Sequence, residues 1–112
     1  MKNKIILFLL LTFLPSLSFG TGLMTANVKV AILSSTNNQD VMLVQTNPKH
    51  SITGLACTSD YWSVLYKNEP NYETTLAILL SAHATGKNVD ITVDDSNGGD
   101  FCRLSRVVIK QN

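Results

Sequence analysis

The sequence has few of the side chains from which enzyme active sites and metal centres are built. Its 112 residues contain two histidines and two cysteines. A catalytic nucleophile needs a base within reach and a third group that orients this base, and the chain shows no Ser, His and Asp spacing of that kind. We therefore expect a protein that is not an enzyme and that uses no metal or other cofactor.

A surplus of positive charge is also lacking. Nine Lys and Arg side chains stand against eight Asp and Glu, a net charge of +1 at pH 7. Two of the lysines, Lys2 and Lys4, lie at the very start, so the chain beyond residue 20 carries seven basic and eight acidic side chains. Nucleic-acid-binding proteins normally show a basic surplus or stripe. We therefore expect no nucleic-acid partner.

The N-terminal segment is typical of a secretory signal. Basic residues precede an apolar run at 5–14, and small residues follow up to Gly20. Signal peptides have this order, and the run is shorter than the roughly 20 apolar residues that a membrane-spanning helix needs. We expect residues 1–20 to be a signal peptide, with cleavage after Ser18 or Gly22 as the alternatives to cleavage after Gly20. We expect 21–112 to be one domain, secreted or periplasmic. No second long apolar run occurs, so we expect no membrane insertion.

The two cysteines, Cys57 and Cys102, both fall in this expected exported domain. Exported proteins reach oxidising compartments, in which disulfides form and persist. We therefore predict one disulfide between them. Two free thiols or a metal pair is the alternative, but the sequence offers no further cysteine and no clustered histidine to support it.

Alternating and β-branched segments predict the first two strands. On the first strand, Val28, Val30 and Ile32 share one face by period two. A polar loop at 34–40 follows. The β-branched and apolar residues at 41–46 predict a second strand, antiparallel to the first.

The bounds of the remaining strands are not all predicted equally well. Residues 52–58 can form one strand, with 61–66 either a further strand or its continuation after a bend. Gly54 inside the first piece predicts a bulge or a tight bend. The last two strands are expected at 89–93 and 104–110, the second of these just after Cys102.

One helix is predicted between the third and fourth strands. Asn71 can cap it with its side-chain oxygen, and Glu73 lies in the first turn, where the helix dipole favours an anion. Gly86 supplies the left-handed residue that ends it. An apolar stripe at helical spacing comprises Tyr72, Leu76, Leu79, Leu80 and His83.

The element order is thus three strands, a helix and two strands. In a domain of this size it is the order of a five-stranded OB-type barrel. We predict a mainly β protein whose single helix closes one end of the barrel with its apolar stripe. The disulfide then joins the last hairpin to the middle of the sheet.

The helix and the strand after it resemble one known family. Residues 75–93 are TLAILLSAHATGKNVDITV, and a cysteine follows shortly afterwards. This segment is similar to the subtilase cytotoxin B-subunit family, which includes the B subunits of AB5 toxins and many small exported bacterial proteins. The signal, the length, the two cysteines and the order of strands and helix fit the same family.

The resemblance implies an OB-fold, a ring of five identical subunits, and binding of sialylated or other cell-surface glycans. In toxin members it also implies a catalytic A subunit as partner. The toxin subunits hold sialic acid with a serine just before the first strand, and the nearest equivalent here is Thr25. An aromatic residue that they carry near the helix end corresponds to His83.

Other candidate contacts come from residue types. Trp62 combines a flat apolar body with a polar tip, so it can stack on a sugar ring, although it serves equally as a core or subunit contact. Ser35 and Asn38 in the polar loop offer hydroxyl and amide groups. The segment 94–100 has oxygen ligands at alternate positions, but Ser105 stands where a calcium loop needs a bidentate Glu, and a hairpin loop is the favoured interpretation.

Two functions follow as hypotheses. The first is an exported, non-catalytic glycan-binding module resembling the B subunit of an AB5 toxin and acting as a ring oligomer. Its expected glycan contacts are Thr25, Ser35, Asn38, Trp62 and His83. The second is a periplasmic structural or protein-interaction protein of the same fold that does not bind sugar.

Overall fold

The computed structural model describes residues 22–37 and 40–111. Five strands form one closed barrel, with a single helix between the third and the fourth. The elements are β1 (Leu23–Ser35), β2 (Val41–Asn47), β3 (Ser59–Tyr66), α1 (Tyr72–Thr85), β4 (Asn88–Asp94) and β5 (Phe101–Ile109). The predicted OB-type barrel is confirmed. The expected signal peptide, 1–20, lies outside the described residues.

The strands follow one another around the barrel in the order β1-β2-β3-β5-β4, and β4 pairs with β1 to close it. All neighbours are antiparallel except β3 and β5, which run parallel and share three residue pairs. Parallel strands need a long crossover connection. Here α1 and β4 supply that connection, which places the helix against β1 and β5.

Alternate residues of each strand point into the barrel, as the pleat of a strand requires. Val28 of β1, for example, faces Val89 of β4, and both are 1% exposed. The buried apolar core contains Val28, Val30, Val44, Cys57, Leu65, Leu79, Ala82, Val89, Ile91, Val93, Cys102, Leu104 and Val107. It fills the barrel interior and extends to the inner side of α1.

A β-bulge in β1 overturns one predicted core residue. Val30 pairs with Thr46, and Ile32 pairs with the adjacent residue of β2, so Ala31 is extra on the β1 side. An extra residue reverses the alternation of the side chains beyond it. Ile32 therefore points outward and is 42% exposed, and Leu33 packs against the core instead. The prediction that Ile32 shares the buried face is wrong for this reason.

The third strand, β3, corresponds to the second of the two predicted pieces, 61–66, and begins at Ser59. Residues 52–58 contain a turn, not a strand, and Gly54 in that turn has a φ of 78°. His50 is buried beside it, and its Nε2 hydrogen-bonds to the carbonyl oxygen of Ser59 at 3.2 Å. Burial lowers the pKa of His50, against the opposing effect of that hydrogen bond.

The buried side of α1 differs from the predicted stripe at one leucine. The residues on this side are Tyr72, Thr75, Leu76, Ile78, Leu79 and Ala82. Leu80 is 51% exposed, and His83 is also exposed. The prediction for Leu80 is wrong because one residue rotates a helix by about 100°, which takes Leu80 away from the line through Leu79 that faces the barrel.

The helix ends as predicted but starts differently. Gly86 has a φ of 70° and terminates it, and Glu73 lies in the first turn. The side chain of Asn71 makes no capping hydrogen bond, contrary to the prediction. Instead the backbone carbonyl of Asn71 accepts from the N–H of Thr75 at 2.9 Å and from the hydroxyl of Thr74 at 3.0 Å. Within the described residues, no helix is long and apolar enough to cross a membrane.

The predicted disulfide between Cys57 and Cys102 is present, with the Cα atoms 5.2 Å apart. Cys57 precedes β3, and Cys102 lies within β5 and not before it. Beside it, the carbonyl of Asp100 accepts the N–H groups of Thr58 at 2.9 Å and Ser59 at 3.0 Å. For a sequence separation of 45, the chain-entropy treatment values this cross-link at about 4 kcal/mol.

The two adjacent leucines of α1 test this packing. Leu79→Ala is expected to lower the free energy of unfolding by about 3 kcal/mol, because a fully buried side chain leaves a cavity. Leu80→Ala is the matched control, and in solutions dilute enough to keep the subunits apart it is expected to change this free energy by less than about 0.5 kcal/mol. Urea unfolding of both variants, followed by circular dichroism, measures the difference. Equal losses would contradict the assignment of the buried side.

Candidate functional site

The outer side of β2 and β3 is apolar and aromatic. Val41 pairs with Tyr66, and Leu43 pairs with Val64. Paired residues lie on the same side of a sheet, and the residue between Val64 and Tyr66, Leu65, is completely buried in the core. The four paired side chains therefore point away from the barrel axis.

A groove runs across this face. One part, about 620 Å³ in volume, is lined by Asp40, Val41, Tyr66, Lys67 and Asn68. A second part, about 220 Å³, is lined by Val41, Val64, Tyr66, Asn97, Gly99, Asp100 and Phe101. Val41 and Tyr66 line both parts, so the two parts adjoin. We call them together the β2–β3 groove.

The loops that precede β2 and β5 form the rims of this groove. The carbonyl of Asp40 accepts the N–H of Lys67 at 3.0 Å, which ties the first loop to the end of β3. In the second loop, the Asn97 amide donates to the Tyr66 hydroxyl at 2.7 Å and to the Phe101 carbonyl at 3.0 Å. Because the Tyr66 hydroxyl accepts this bond, its own proton remains available for a ligand.

The groove carries more negative than positive charge. Two exposed aspartates, Asp40 and Asp100, line it, and Lys67 is the one cation among the described lining residues. Hydrogen bonds to an ionised carboxylate are about twice as strong as neutral ones. The half-buried rings of Tyr66 and Phe101 line the same groove. Hydrogen-bond acceptors and apolar ring surface are thus combined in one site.

Arg103 connects the loop before β5 with the segment that follows β3. Its guanidinium bonds to Asp94, Nη2 to Oδ2 at 3.0 Å, and also to Glu69, which follows Asn68 in the chain. Its Nε donates to the hydroxyl of Ser96 at 3.0 Å. Burial raises the pKa of Asp94, but hydrogen bonds from Ser96 and Arg103 outweigh this effect and hold it below the usual value.

Two of the five predicted glycan contacts lie on strands that flank the groove. Trp62 is on the outer side of β3, four residues or about 13 Å along the strand from Tyr66. It is half-buried, and its ring meets that of Tyr61 edge to face with centroids 5.1 Å apart. Ser35 is the exposed last residue of β1, where the loop towards the groove begins. Asn38, in that loop, lies outside the described residues.

The other two predicted contacts lie elsewhere. Thr25 is on the outer side of β1, next to β4, and its hydroxyl lies 3.2 Å from that of Thr92. His83 is exposed on α1. No hydrogen bond within the described part of the chain joins two of the predicted contacts. They are therefore distributed over the groove side, the β1–β4 side and the helix.

Most of the groove was missed by the sequence prediction. Tyr66, Phe101 and Asn97 are absent from the predicted contacts. A signal for one of them exists, since period two places Tyr66 on the same face as Trp62 and Val64. Phe101 has no such signal, because it joins Tyr66 in lining the groove through the parallel pairing of β3 with β5.

The loop that resembles a calcium loop is tied into the protein. One carboxylate oxygen of Asp94 accepts from both the N–H and the hydroxyl of Ser96, at 3.1 and 2.7 Å, and Arg103 bonds to both oxygens. Across residues 22–37 and 40–111, no group of three or more His, Cys, Asp and Glu side chains is arranged to hold a metal ion. The loop acts as a groove rim.

Comparison with protein-family models, with curated proteins and with solved structures finds no match in any of the three. Function is therefore inferred from the groove itself.

Arg103→Met is expected to lower the free energy of unfolding by about 2 kcal/mol at pH 7, because charged hydrogen bonds to Asp94 and Glu69 are lost. The pKa of Asp94 is lower in the folded protein than in the unfolded chain. Its stabilising contribution is therefore complete above about pH 4 and disappears as the pH falls through the folded value. The variant should lose less stability on acidification than the unmodified protein.

Arg106→Met, on the same strand, is the control because Arg106 makes no ion pair among the described residues. We expect it to change the free energy of unfolding by less than about 0.5 kcal/mol and to keep the original pH profile. Urea unfolding at a series of pH values measures both variants. If both arginine variants gave the same profile, the network would not be stabilising.

Proposed function

We propose that the protein is an exported, non-catalytic glycan-binding module and that the β2–β3 groove holds the sugar. The observation that carries this proposal is the combination of Tyr66 and Phe101 with Asp40 and Asp100 in one open groove. In OB-type barrels, the face of strands two and three and the adjoining loops bind oligosaccharides or oligonucleotides. The groove occupies that place.

The charges of the groove favour a sugar over a nucleic acid. An oligonucleotide needs cations along its phosphates, whereas two carboxylates and one lysine line the groove. Sugar hydroxyls can donate to Asp40 and Asp100, and the apolar face of a sugar ring can stack on an aromatic ring. Trp62 extends the same face by about 13 Å, so a ligand of several sugar units can reach it.

Other parts of the proposal rest on the sequence. The basic and apolar segment at 1–20 and the disulfide support export, to the periplasm or beyond, since disulfides persist in oxidising compartments. The resemblance to toxin B subunits favours a sialylated glycan as the ligand and a catalytic A subunit as a partner. The negative charge of the β2–β3 groove differs from this expectation, because it favours a neutral sugar unit in the groove itself. A ring of five copies would raise weak single-site affinity through multivalency.

Tyr66→Phe tests the sugar site. The glycan is first identified on an array that carries neutral and sialylated glycans, and its affinity for residues 21–112 is then measured by calorimetry. We expect the variant to bind about tenfold more weakly, because the donor hydroxyl oriented by Asn97 is lost. Asp100→Asn should weaken binding by a similar factor.

Tyr72→Phe is the matched control for the loss of a hydroxyl. Tyr72 is the first residue of α1, packs against the core and is not part of the groove. We expect it to bind with unchanged affinity. An array without signal above background would refute glycan binding. If Tyr66→Phe and Asp100→Asn both bound the glycan with unchanged affinity, the sugar would not bind in this groove.

A periplasmic structural or protein-interaction protein without sugar binding is the second candidate. It is favoured by the large apolar side chains that are exposed among the described residues, namely Leu23, Ile32, Tyr61 and Leu80. The same side chains are available for contacts between the copies of a ring. The mass of the protein in solution separates a ring from a monomer.

We expect light scattering to give a mass near five subunits and Leu80→Glu to shift it towards the monomer, because a charge would be buried in the contact. Ala77→Glu, also exposed on α1, is the matched control and should keep the assembly. A monomer at every concentration would refute the ring and favour the second candidate. An assembly unaffected by Leu80→Glu would show that the helix is not the contact.

A further inference from the structure

The side of the barrel opposite the groove is basic. In the strand order of the barrel, β4 lies across from β2 and β3. Four of the seven basic residues beyond residue 20 border β4 and its two neighbours, with one acid, Asp90. They are Lys29, Lys87, Arg106 and Lys110. The other three basic residues share the rest of the domain with seven acids, so the charge is +3 on this side and −4 elsewhere.

Two adjoining clefts open on this basic side. The larger, about 420 Å³, is bordered by the end of α1 at Gly86 and by three lysines, Lys29, Lys87 and Lys110. The smaller, about 230 Å³, shares Lys110 and Asp90 with it and is also lined by Arg106. The three lysines and Asp90 leave a net charge of +2 in the larger cleft, which we call the lysine cleft.

Two of the three ammonium groups of the lysine cleft are held in position. Nζ of Lys29 donates to the carbonyl of Gly86 at 2.6 Å, and Nζ of Lys110 lies 2.9 Å from a carboxylate oxygen of Asp90. Each ammonium has three N–H donors, so both groups keep donors for a ligand. Groups that are already ordered lose less entropy on binding.

The remaining polar groups form a chain that ends at Asp90. Asn88 donates to the side-chain oxygen of Asn27 at 2.7 Å, and Asn27 donates to Asp90 at 2.7 Å. The hydrogen bond from Asn27, followed by that from Lys110, lowers the pKa of Asp90. Asp90 therefore stays ionised. Of the three ammonium groups of the cleft, that of Lys87 alone has no hydrogen-bond partner among the described residues.

We propose that the lysine cleft binds a phosphate monoester, carried by a sugar or by a lipid headgroup. A phosphate monoester bears a charge of about −1.5 to −2 at pH 7 and three strong acceptor oxygens. It matches the charge of the cleft and the N–H donors of Lys29, Lys87 and Lys110. A single carboxylate would leave one positive charge unbalanced. The site is separate from the β2–β3 groove and does not depend on glycan binding there.

The test is a titration of ¹⁵N-labelled residues 21–112 with glucose 6-phosphate at constant ionic strength, followed by NMR. We expect saturable shifts at the amides of residues 27–29 and 86–88 and none with glucose. Lys87→Gln should raise the Kd about fivefold, the upper range for an exposed ion pair. Lys49→Gln removes a cation outside the cleft and should leave the Kd unchanged.

Two further ligands define the chemistry and its source. Glucuronate, a sugar with a single carboxylate, should bind at least several-fold more weakly than glucose 6-phosphate. Vesicles of phosphatidylcholine with and without phosphatidic acid test the lipid source by co-sedimentation. Binding to vesicles alone assigns the phosphate to a lipid, and binding to the sugar phosphate alone assigns it to a soluble ligand.

Several outcomes would overturn the proposal. If glucuronate bound as tightly as glucose 6-phosphate, the cleft would not be specific for a phosphate. Equal losses of affinity in Lys87→Gln and Lys49→Gln would show that binding is a non-specific effect of charge. If the NMR shifts did not saturate and the protein did not bind to vesicles, the lysine cleft would not be a binding site for a phosphate monoester. Tyr66→Phe should bind glucose 6-phosphate with the original Kd, so a failure of the groove proposal leaves this result intact.

Discussion

The closure of the barrel depends on its shortest contact, the parallel pairing of β3 with β5. Three residue pairs join these strands, whereas the antiparallel neighbours share four to seven. The bond between Cys57 and Cys102 crosses this seam before β3 begins, and the ion pair of Arg103 with Glu69 crosses it after β3 ends. A covalent bond and an ion pair thus provide what a longer hydrogen-bond ladder provides elsewhere.

The same seam creates the groove. Tyr66 comes from β3 and Phe101 from β5, and they line one cleft because these strands are neighbours. The loop that leads into β5 contributes Asn97, and Arg103 joins this loop to the segment after β3. The contacts that close the barrel therefore lie next to the groove. The basic side is built differently, from residues of β1, β4 and β5, from the turn after α1 and from Lys110, which follows β5.

Sequence patterns predict the elements whose position depends on interactions between residues close together in the chain. β-Branched and apolar residues identify the strand around 41–46, period two identifies the strand around 89–93, and glycine at position 86 ends the helix, as the structure confirms. Ile32 and Leu80 were placed wrongly because pairing with β2 determines the bulge and the position of α1 over the barrel selects its buried side. Residue type led to Trp62, on the groove side, but Phe101 needed a pairing between strands distant in sequence.

The bulge at Ala31 also limits how the chain can vary in length. Deleting one residue between the bulge and Ser35 would exchange inner and outer side chains along that stretch, since the period of a strand is two. The loop between β1 and β2 carries no such restriction, because added residues there leave both pairings in place. Changes in length are thus tolerated at the border of the groove, where they reshape its rim and leave the pairing of the barrel intact.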